Sequence, residues 1–403
     1  MRYDVAIVGA GPAGSTAAKF LSEKGVRTLL LEKTVFPRDK PCGGGLPMRV
    51  LHRFKYIAEN NLIDSYSFAI QIHAASMIHH LDFQHNKPLQ AMVRRKIFDE
   101  GLANIAKRSG AVLQCGETVQ DVTTDKEHIR IFLSNGTIVE SQVLIGADGT
   151  WSTVAKKIGM KHDCNHIGVC VYNEYPMGQE TLYRLYGDER AAHIHLQPAG
   201  LAGYGWVFPK ERHTNIGIVE FRQAINPATE KKNLQHHYAL YIQALKKQQL
   251  IPNNLNTSVT HGGVFPTCPA KKITANRVVL CGDAGGLVNP STGEGIYYAM
   301  CSGEIAAKTA IKALEHDETN VRLLKRYQRQ WNHEFHSDFS LFSKTSKYWN
   351  RNIDRLIELA NKDKKLIAIA CNAIPSPGGI QQEKWRIAVR LIVAYCKDRF
   401  GLT

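Results

Sequence analysis

The sequence predicts an α/β protein: a discontinuous parallel-sheet domain, an antiparallel-sheet domain inserted into it, and a helical C-terminal region. Three observations predict this. Strand and helix signals alternate from the first residues. Short apolar strands that end in glycine-rich turns return much later, at Val143-Leu144-Ile145 and Val278-Val279-Leu280. Segments rich in β-branched and aromatic residues separate them, and after Gly295 the pattern is helical to the end.

The elements follow in order. Val5-Ala6-Ile7-Val8 reads as a buried strand, Ala13 to Lys24 as a helix with Ala17, Ala18 and Leu21 on one face, and Thr28 to Leu31 as a second strand leading to Glu32. Ser67 to Phe83 alternates as strands do, Phe98 to Ser109 is helical, and Ala111-Val112-Leu113 restarts a strand. Ile129 to Leu133, Asn135-Gly136 and Ile138-Val139 form a hairpin signal. Val143 to Ile145 ends at Gly146-Ala147-Asp148-Gly149. Gly168 to Phe221 has no long helical period and reads as antiparallel sheet; His236 to Gln248 is helical; Val278 to Leu280 ends at Gly282-Asp283. The expected domains are residues 1–66, 93–162 and 262–320 for the nucleotide-type domain, 67–92 and 163–261 for the inserted sheet, and 321–403 for the helical region.

A chain of 403 residues buries a sizeable core in two domains or more, and 44% hydrophobic with 22% charged residues is ordinary for a folded globular protein. The net charge of +15 favours anionic partners. Nucleic acid is not expected among them, since no recognition fold accompanies the charge. No signal-peptide pattern opens the chain, and no apolar run reaches the ~18–20 residues of a membrane span. The expected setting is the cytoplasm, with peripheral membrane contact open. Nine cysteines at wide spacing, with no C-x-x-C pair, argue against a disulfide framework, a zinc site or an iron–sulfur cluster. The pairs His79-His80 and His236-His237 lack a third ligand at metal spacing, so no metal is expected. The sequence does not fix an oligomeric state.

Gly9-Ala10-Gly11-Pro12-Ala13-Gly14 fits G-x-G-x-x-G between a strand and a helix, which is the context of a Rossmann dinucleotide site. Gly9 permits the tight turn, Gly11 lets a pyrophosphate approach the backbone, and Gly14 lets helix and sheet pack closely. The diphosphate then lies at a helix N-terminus, on free N–H groups. Glu32, ending the second strand, is placed to accept hydrogen bonds from an adenosine ribose and to repel a 2′-phosphate. A second signal points to FAD. Gly282-Asp283-Ala284-Gly285-Gly286 follows a buried strand and continues to Ser291-Thr292-Gly293-Glu294-Gly295-Ile296. Asp283 suits a ribityl chain, and N–H groups at Gly295 and Ile296 suit the flavin N1–O2 edge, which becomes negative on reduction. The blander reading of residues 282–286 is a tight strand-to-helix turn.

These residues resemble the FAD-dependent p-hydroxybenzoate hydroxylase-like superfamily and, within it, the geranylgeranyl reductase family. The resemblance rests on four stretches: the Gly9 to Gly14 fingerprint, Lys40-Pro41-Cys42-Gly43-Gly44-Gly45-Leu46, Tyr204-Gly205-Trp206-Val207-Phe208-Pro209-Lys210, and Gly282 to Ile296. Gly146 to Gly149 is similar to the superfamily's D-G motif, and Arg95-Lys96-Ile97-Phe98-Asp99 to its R-x-x-F-D helix start. The resemblance spans roughly residues 1–320. It implies FAD contacts from Ala13, Glu32, Cys42, Gly43, Gly45, Arg95, Asp283, Gly295 and Ile296, and reduction of isolated C=C bonds in prenyl chains of lipids or quinones. Its implied electron donor is NAD(P)H or reduced ferredoxin. The rival activities on this scaffold are flavin monooxygenation and halogenation.

Reduction of an unactivated alkene needs a hydride, a proton and a slot that orients the chain. Tyr204, Trp206 and Phe208 alternate as on a strand and fall on one face, as the floor of a slot or as ordinary sheet core. Cys42 is the candidate catalytic residue; its roles are packing on the flavin, gating access or donating a proton. Arg95 is a candidate phosphate or ribityl ligand. Lys210 either neutralises a substrate phosphate or is a surface lysine. Residues 321–403 hold 16 Lys/Arg against 7 Asp/Glu, and Trp385 to Phe400 mixes apolar and basic residues. That helix lies on an acidic membrane or docks on the core with a charged outer face.

Overall fold

The computed structural model describes residues 1–403 except 126, 161–165, 224–226, 350–352 and 401–403; the expected domain boundary at 162/163 lies outside the described residues. The chain begins β1 (Arg2–Val8), α1 (Pro12–Ser22), β2 (Thr28–Glu32), β3 (Gly45–Pro47), α2 (Arg49–Arg53), α3 (Tyr56–Glu59), β4 (Ser65–Ser67), β5 (Ala69–His73), β6 (His80–Gln84) and β7 (Gln90–Met92). It continues with α4 (Arg95–Arg108), β8 (Val112–Cys115), β9 (Val119–Thr124), β10 (Ile129–Leu133), β11 (Ile138–Gly146), α5 (Thr153–Lys157), β12 (His166–Pro176), α6 (Gln179–Tyr186), β13 (Ala192–Leu196), β14 (Gly203–Pro209) and β15 (His213–Gln223). Last come α7 (Pro227–Lys247), β16 (His261–Pro266), β17 (Thr274–Ala275), β18 (Val278–Leu280), α8 (Ile296–Glu315), α9 (Val321–Trp349), α10 (Ile353–Lys362), α11 (Lys364–Ala373) and α12 (Ile380–Phe400).

Two compact units emerge. The first comprises Met1–Asp39, Arg95–Gly168 and Val264–Lys344; the second comprises Lys40–Arg94, Val169–Gly263 and Thr345–Thr403. In the first, the main sheet runs β17-β18-β11-β1-β2-β8, and β10 and β9 extend it through β11. Strands β18, β11, β1, β2 and β8 are mutually parallel. Their apolar runs are buried on both faces, which is why they read as short continuous stretches and not as alternation: Ile7, Leu30 and Ile145 are all fully buried. The β10–β11 hairpin forms where Asn135-Gly136 predicted it, closed by Leu133 N to Thr137 O at 2.9 Å.

The second unit is built on a seven-stranded sheet, β16-β12-β15-β14-β13-β5-β6, and a small sheet β3-β7-β4. Its resolved pairs are antiparallel except β5 with β13, which run parallel. One further difference from expectation is α6, an eight-residue helix inside the stretch read as all sheet; it buries Leu182 and Tyr186. Two turns leave too short a period to stand out against flanking strands.

Candidate functional site

In the first unit, β1 delivers the chain to Gly9, whose N–H donates to Leu31 O at 2.7 Å. Gly9 has φ +99°, and a Cβ there would lie 2.3 Å from Ala147 O. A Cβ on Gly14 would lie 1.9 Å from Gly9 O. Neither position accepts a side chain. Gly11 is different: a Cβ there would meet nothing nearer than Arg38 Nη2 at 3.6 Å, so this face of the loop is open. Pro12 starts α1, and no side chain caps the helix, so the N–H groups of Ala13 and Gly14 have no capping partner. An open glycine over uncapped N–H groups fits a diphosphate.

Glu32 is buried, and its carboxylate already accepts from Ala10 N at 3.0 Å, Thr34 N at 3.1 Å and Thr34 Oγ1 at 2.8 Å. It therefore braces the glycine loop and keeps about one acceptor site of roughly four for a ribose hydroxyl. The Arg95 fork is taken by Asp99, with both bonds at 2.7 Å. Asp99 also takes Arg38 Nη1 at 3.0 Å, and Arg38 Nε lies 3.5 Å from Glu32. Arg38, which the sequence reading did not single out, is thus the cation nearest the open face of the loop, while Arg95 anchors the residue that holds it.

The later glycine-rich segment meets this loop. A 3-10 turn, Gly282–Gly285, follows β18. A Cβ on Gly282 would contact Ala13 Cβ and Ala299 Cβ, both at 3.3 Å, and a Cβ on Gly303 would lie 2.2 Å from Ala13 O. The first turns of α1 and α8 are therefore side by side. Asp283 accepts from Thr150 Oγ1 at 3.4 Å, and its Oδ1 lies 3.9 Å from where a Gly295 Cβ would be. Gly295 caps α8 without a side-chain bond, which leaves the N–H of Ile296 uncapped. The donor set fits the elongated, twice-negative cofactor: free N–H groups at two helix starts, a carboxylate between them and an open glycine. Asp148 of the D-G motif is an anchor here, accepting from Ser152 Oγ at 2.6 Å and Val154 N at 3.1 Å at the start of α5.

The second unit holds the other sequence-singled residues together. Trp206 and Phe208 are buried on β14 and Tyr204 is half-buried; ring centroids are 6.0 Å apart for Tyr204–Trp206 and 6.4 Å for Trp206–Phe208. Trp206 lies over Gly217, 2.2 Å from the position of a Cβ there, and donates Nε1 to Asn215 Oδ1 at 2.8 Å. The Gly43–Gly45 loop presses on this row: a Cβ on Gly43 would meet Trp206 Nε1 at 2.9 Å, and one on Gly45 would meet Phe208 Cε2 at 2.9 Å. Asn215 Nδ2 also donates to Cys42 O at 3.2 Å, so one amide links the tryptophan to the cysteine's backbone. The half-buried Cys42 thiol accepts from Gly44 N at 3.3 Å. Lys210 corrects both sequence readings offered for it. It is 1% exposed and ion-paired with Glu174, behind Gly44, so it neither faces solvent nor is free for a substrate phosphate.

On the opposite face of this sheet three buried histidines meet, none of them singled out by sequence. His73 and His195 stack at 4.3 Å, His73 Nε2 bonds His193 Nδ1 at 3.1 Å, and Tyr241 bonds His195 Nδ1 at 2.8 Å. Burial, and then neighbouring histidine charge, holds His73 down to about 4 and His193 to about 3. They are neutral packing residues, and no group of metal-ligand geometry occurs among the described residues. Cys268 is disulfide-bonded, which the odd cysteine count and wide spacing did not anticipate, while Cys42, Cys170 and Cys281 are free.

Residues 2–335 match the FAD binding domain family. The chain is 30% identical to an uncharacterised protein of Methanosarcina barkeri, over 82% of this chain and 80% of the relative. It is 28% identical to the digeranylgeranylglycerophospholipid reductase of Methanocaldococcus jannaschii, over 82% of each. Its fold is similar to the crystal structure of a geranylgeranyl bacteriochlorophyll reductase-like protein of Thermoplasma acidophilum, with TM-score 0.79, 23% identity, and 95% and 98% of the two chains covered.

Proposed function

The chain belongs to the FAD-binding domain family, and on that premise we propose that it is an FAD-dependent reductase of isolated C=C bonds in prenyl, geranylgeranyl-type chains of lipids or quinones. The junction of Gly282, Ala13 and Ala299, which sets the two glycine-rich loops against one another, supports the FAD part of this reading, and the 28% identity to a digeranylgeranylglycerophospholipid reductase supports the prenyl part. When bound, FAD supplies a hydride from N5 to one alkene carbon. The chain does the rest. The N–H groups of Ala13 and Gly14 hold the diphosphate, Glu32 the ribose, and Asp283 the ribityl chain. The N–H groups at Gly295 and Ile296 stabilise negative charge at the N1–O2 edge. Tyr204, Trp206 and Phe208 form the apolar floor that aligns a prenyl tail and excludes water. Cys42, Gly43 and Gly45 lie against this row, and Cys42 is the candidate catalytic residue that gates the site or protonates the second carbon. The electron donor is NAD(P)H or reduced ferredoxin.

No helix among the described residues is long and apolar enough to cross a membrane. A prenyl-lipid substrate therefore calls for contact from the surface. α12 exposes Trp385, Val389 and Ile392 at 65%, 58% and 62%, spaced i, i+4, i+7 beside Lys384 and Arg386. This stripe suits the headgroup boundary of an acidic bilayer.

The test is anaerobic incubation of the dithionite-reduced protein with geranylgeranyl diphosphate, geranylgeranylated glycerolipids and menaquinone. A gain of two mass units per saturated bond in at least one of them is expected. No gain in any, or an oxygenated or halogenated product in air, overturns the reading.

A further inference from the structure

The surface of α9 carries a feature that substrate reduction leaves unused. Arg322, Lys325, Arg326, Arg329, His333 and His336 are all exposed. At 100° per residue they fall within about one third of the helix circumference and run for roughly 20 Å along it. None of the four arginine and lysine side chains is ion-paired among the described residues. The first turn holds no acidic residue. Among the described residues of α9 no large apolar side chain is exposed, in contrast to α12. A charged stripe without an apolar wedge attracts a partner by field and does not insert into lipid.

The buried face of the same helix leads inward. Trp331 and Phe335 lie 4.5 Å apart, Phe335 lies 5.3 Å from Tyr298 and 6.0 Å from Tyr297, and Phe339 lies 5.1 Å from Tyr298. Tyr297 and Tyr298 belong to the first turn of α8, whose N–H groups would face the flavin. One turn earlier, Tyr327 donates to Leu280 O at 2.8 Å, at the end of β18 just before the Asp283 turn. The basic surface and the cofactor end of this unit are thus joined through one helix and a chain of near-contact rings.

We propose that the exposed face of α9 docks a small acidic one-electron carrier protein, which feeds the flavin through the Trp331–Phe335–Tyr297/Tyr298 rings. This rests on the flavin reading above and chooses between its two electron donors. Two reduced carriers each give up one electron, and FAD takes up both together with one proton from solvent. Charge complementarity selects the partner: a compact acidic face meets a straight basic stripe, with steered and transient association.

The test uses the holoprotein and a plant-type [2Fe–2S] ferredoxin as probe. Binding of oxidised ferredoxin is measured first, since it needs no turnover, and then the rate at which reduced ferredoxin bleaches the flavin. Raising ionic strength from about 20 to about 200 mM is expected to slow association about tenfold or more. The exposed triple variant Arg322→Glu/Arg326→Glu/Arg329→Glu is expected to slow it about a hundredfold at low salt. A control of equal charge change on other exposed lysines, Lys55→Glu/Lys87→Glu/Lys107→Glu, is expected to change it less than about threefold. The proposal is overturned if wild type does not bind ferredoxin, if the arginine triple binds as wild type does, or if the control loses as much. It is also overturned if the triple abolishes capture by phosphatidylglycerol vesicles while sparing ferredoxin. Dithionite-driven saturation of a prenyl substrate reports on the substrate reading separately, because it bypasses the carrier.

Discussion

Glycines at two places in this molecule, the Gly9–Gly14 loop and the Trp206 row, make room for different things. In the nucleotide unit, Gly9, Gly14 and Gly303 face backbone: Ala147 O at 2.3 Å, Gly9 O at 1.9 Å and Ala13 O at 2.2 Å from where their Cβ atoms would be. In the sheet unit, Gly43, Gly205 and Gly217 face side chains: Trp206 Nε1 at 2.9 Å, Tyr241 Cζ at 2.6 Å and Trp206 Cζ2 at 2.2 Å. Backbone packed on backbone cannot yield, and the geometry it enforces is the same for any chain that cradles a dinucleotide. A glycine under an aromatic ring is a local fit, and the ring can tilt. The Gly9–Gly14 loop is therefore fixed by main chain and the Trp206 row is bounded by side chains; elsewhere each unit holds both kinds of packing, as at Gly203, 1.8 Å from Val219 O, and Gly168, 2.2 Å from Phe265 Cζ.

The largest expected effect breaks the rigid loop. Gly14→Val should cost about 4 kcal/mol and abolish flavin binding, because its Cβ has no direction in which a neighbour can yield; thermal melting and bound-flavin absorbance check it. Next comes the polar anchor of the sheet half. Glu174→Ala leaves the buried Lys210 ammonium uncompensated and should lower stability by about 3 kcal/mol, whereas Glu174→Leu with Lys210→Met should be near neutral, as denaturant midpoints would show.

Acid should then weaken the sheet half selectively. His73 titrates at about 4 against an ordinary 6.5, so its contribution is fully present above pH 6.5 and is lost as pH falls towards 4. Stability measured between pH 7 and 4.5 should decline, and His73→Gln should remove roughly 2 kcal/mol of that decline. The mildest change sharpens the contrast. Gly217→Ala pushes on the Trp206 ring and should cost about 1.5 kcal/mol, with FAD retained and KM for a prenyl substrate raised. An equal loss of flavin in Gly14→Val and Gly217→Ala would erase the distinction between the loop and the row.

The same contrast explains what was legible in sequence. The Gly9 loop, the β11 and β18 strands and the start of α8 are set by neighbours in the chain, and their glycine spacing and apolar runs placed them correctly. The β5–β13 pairing joins residues some 120 positions apart, His73 to His195, and carries no local signature. Asn215 reaches Cys42 and Arg38 reaches Asp99 through contacts between residues far apart in the chain, which likewise carry no local signature. Lys210 looked like a surface or substrate-binding lysine because its partner, Glu174, lies on another strand.

The most direct measurement is the flavin content of the purified full chain, with and without Asp283→Ala. One FAD per chain, released on denaturation, together with clearly weaker retention in the variant, is the result expected from loops that meet at Ala13 and Gly282. A well-folded wild-type protein that stays colourless after incubation with excess FAD would contradict it.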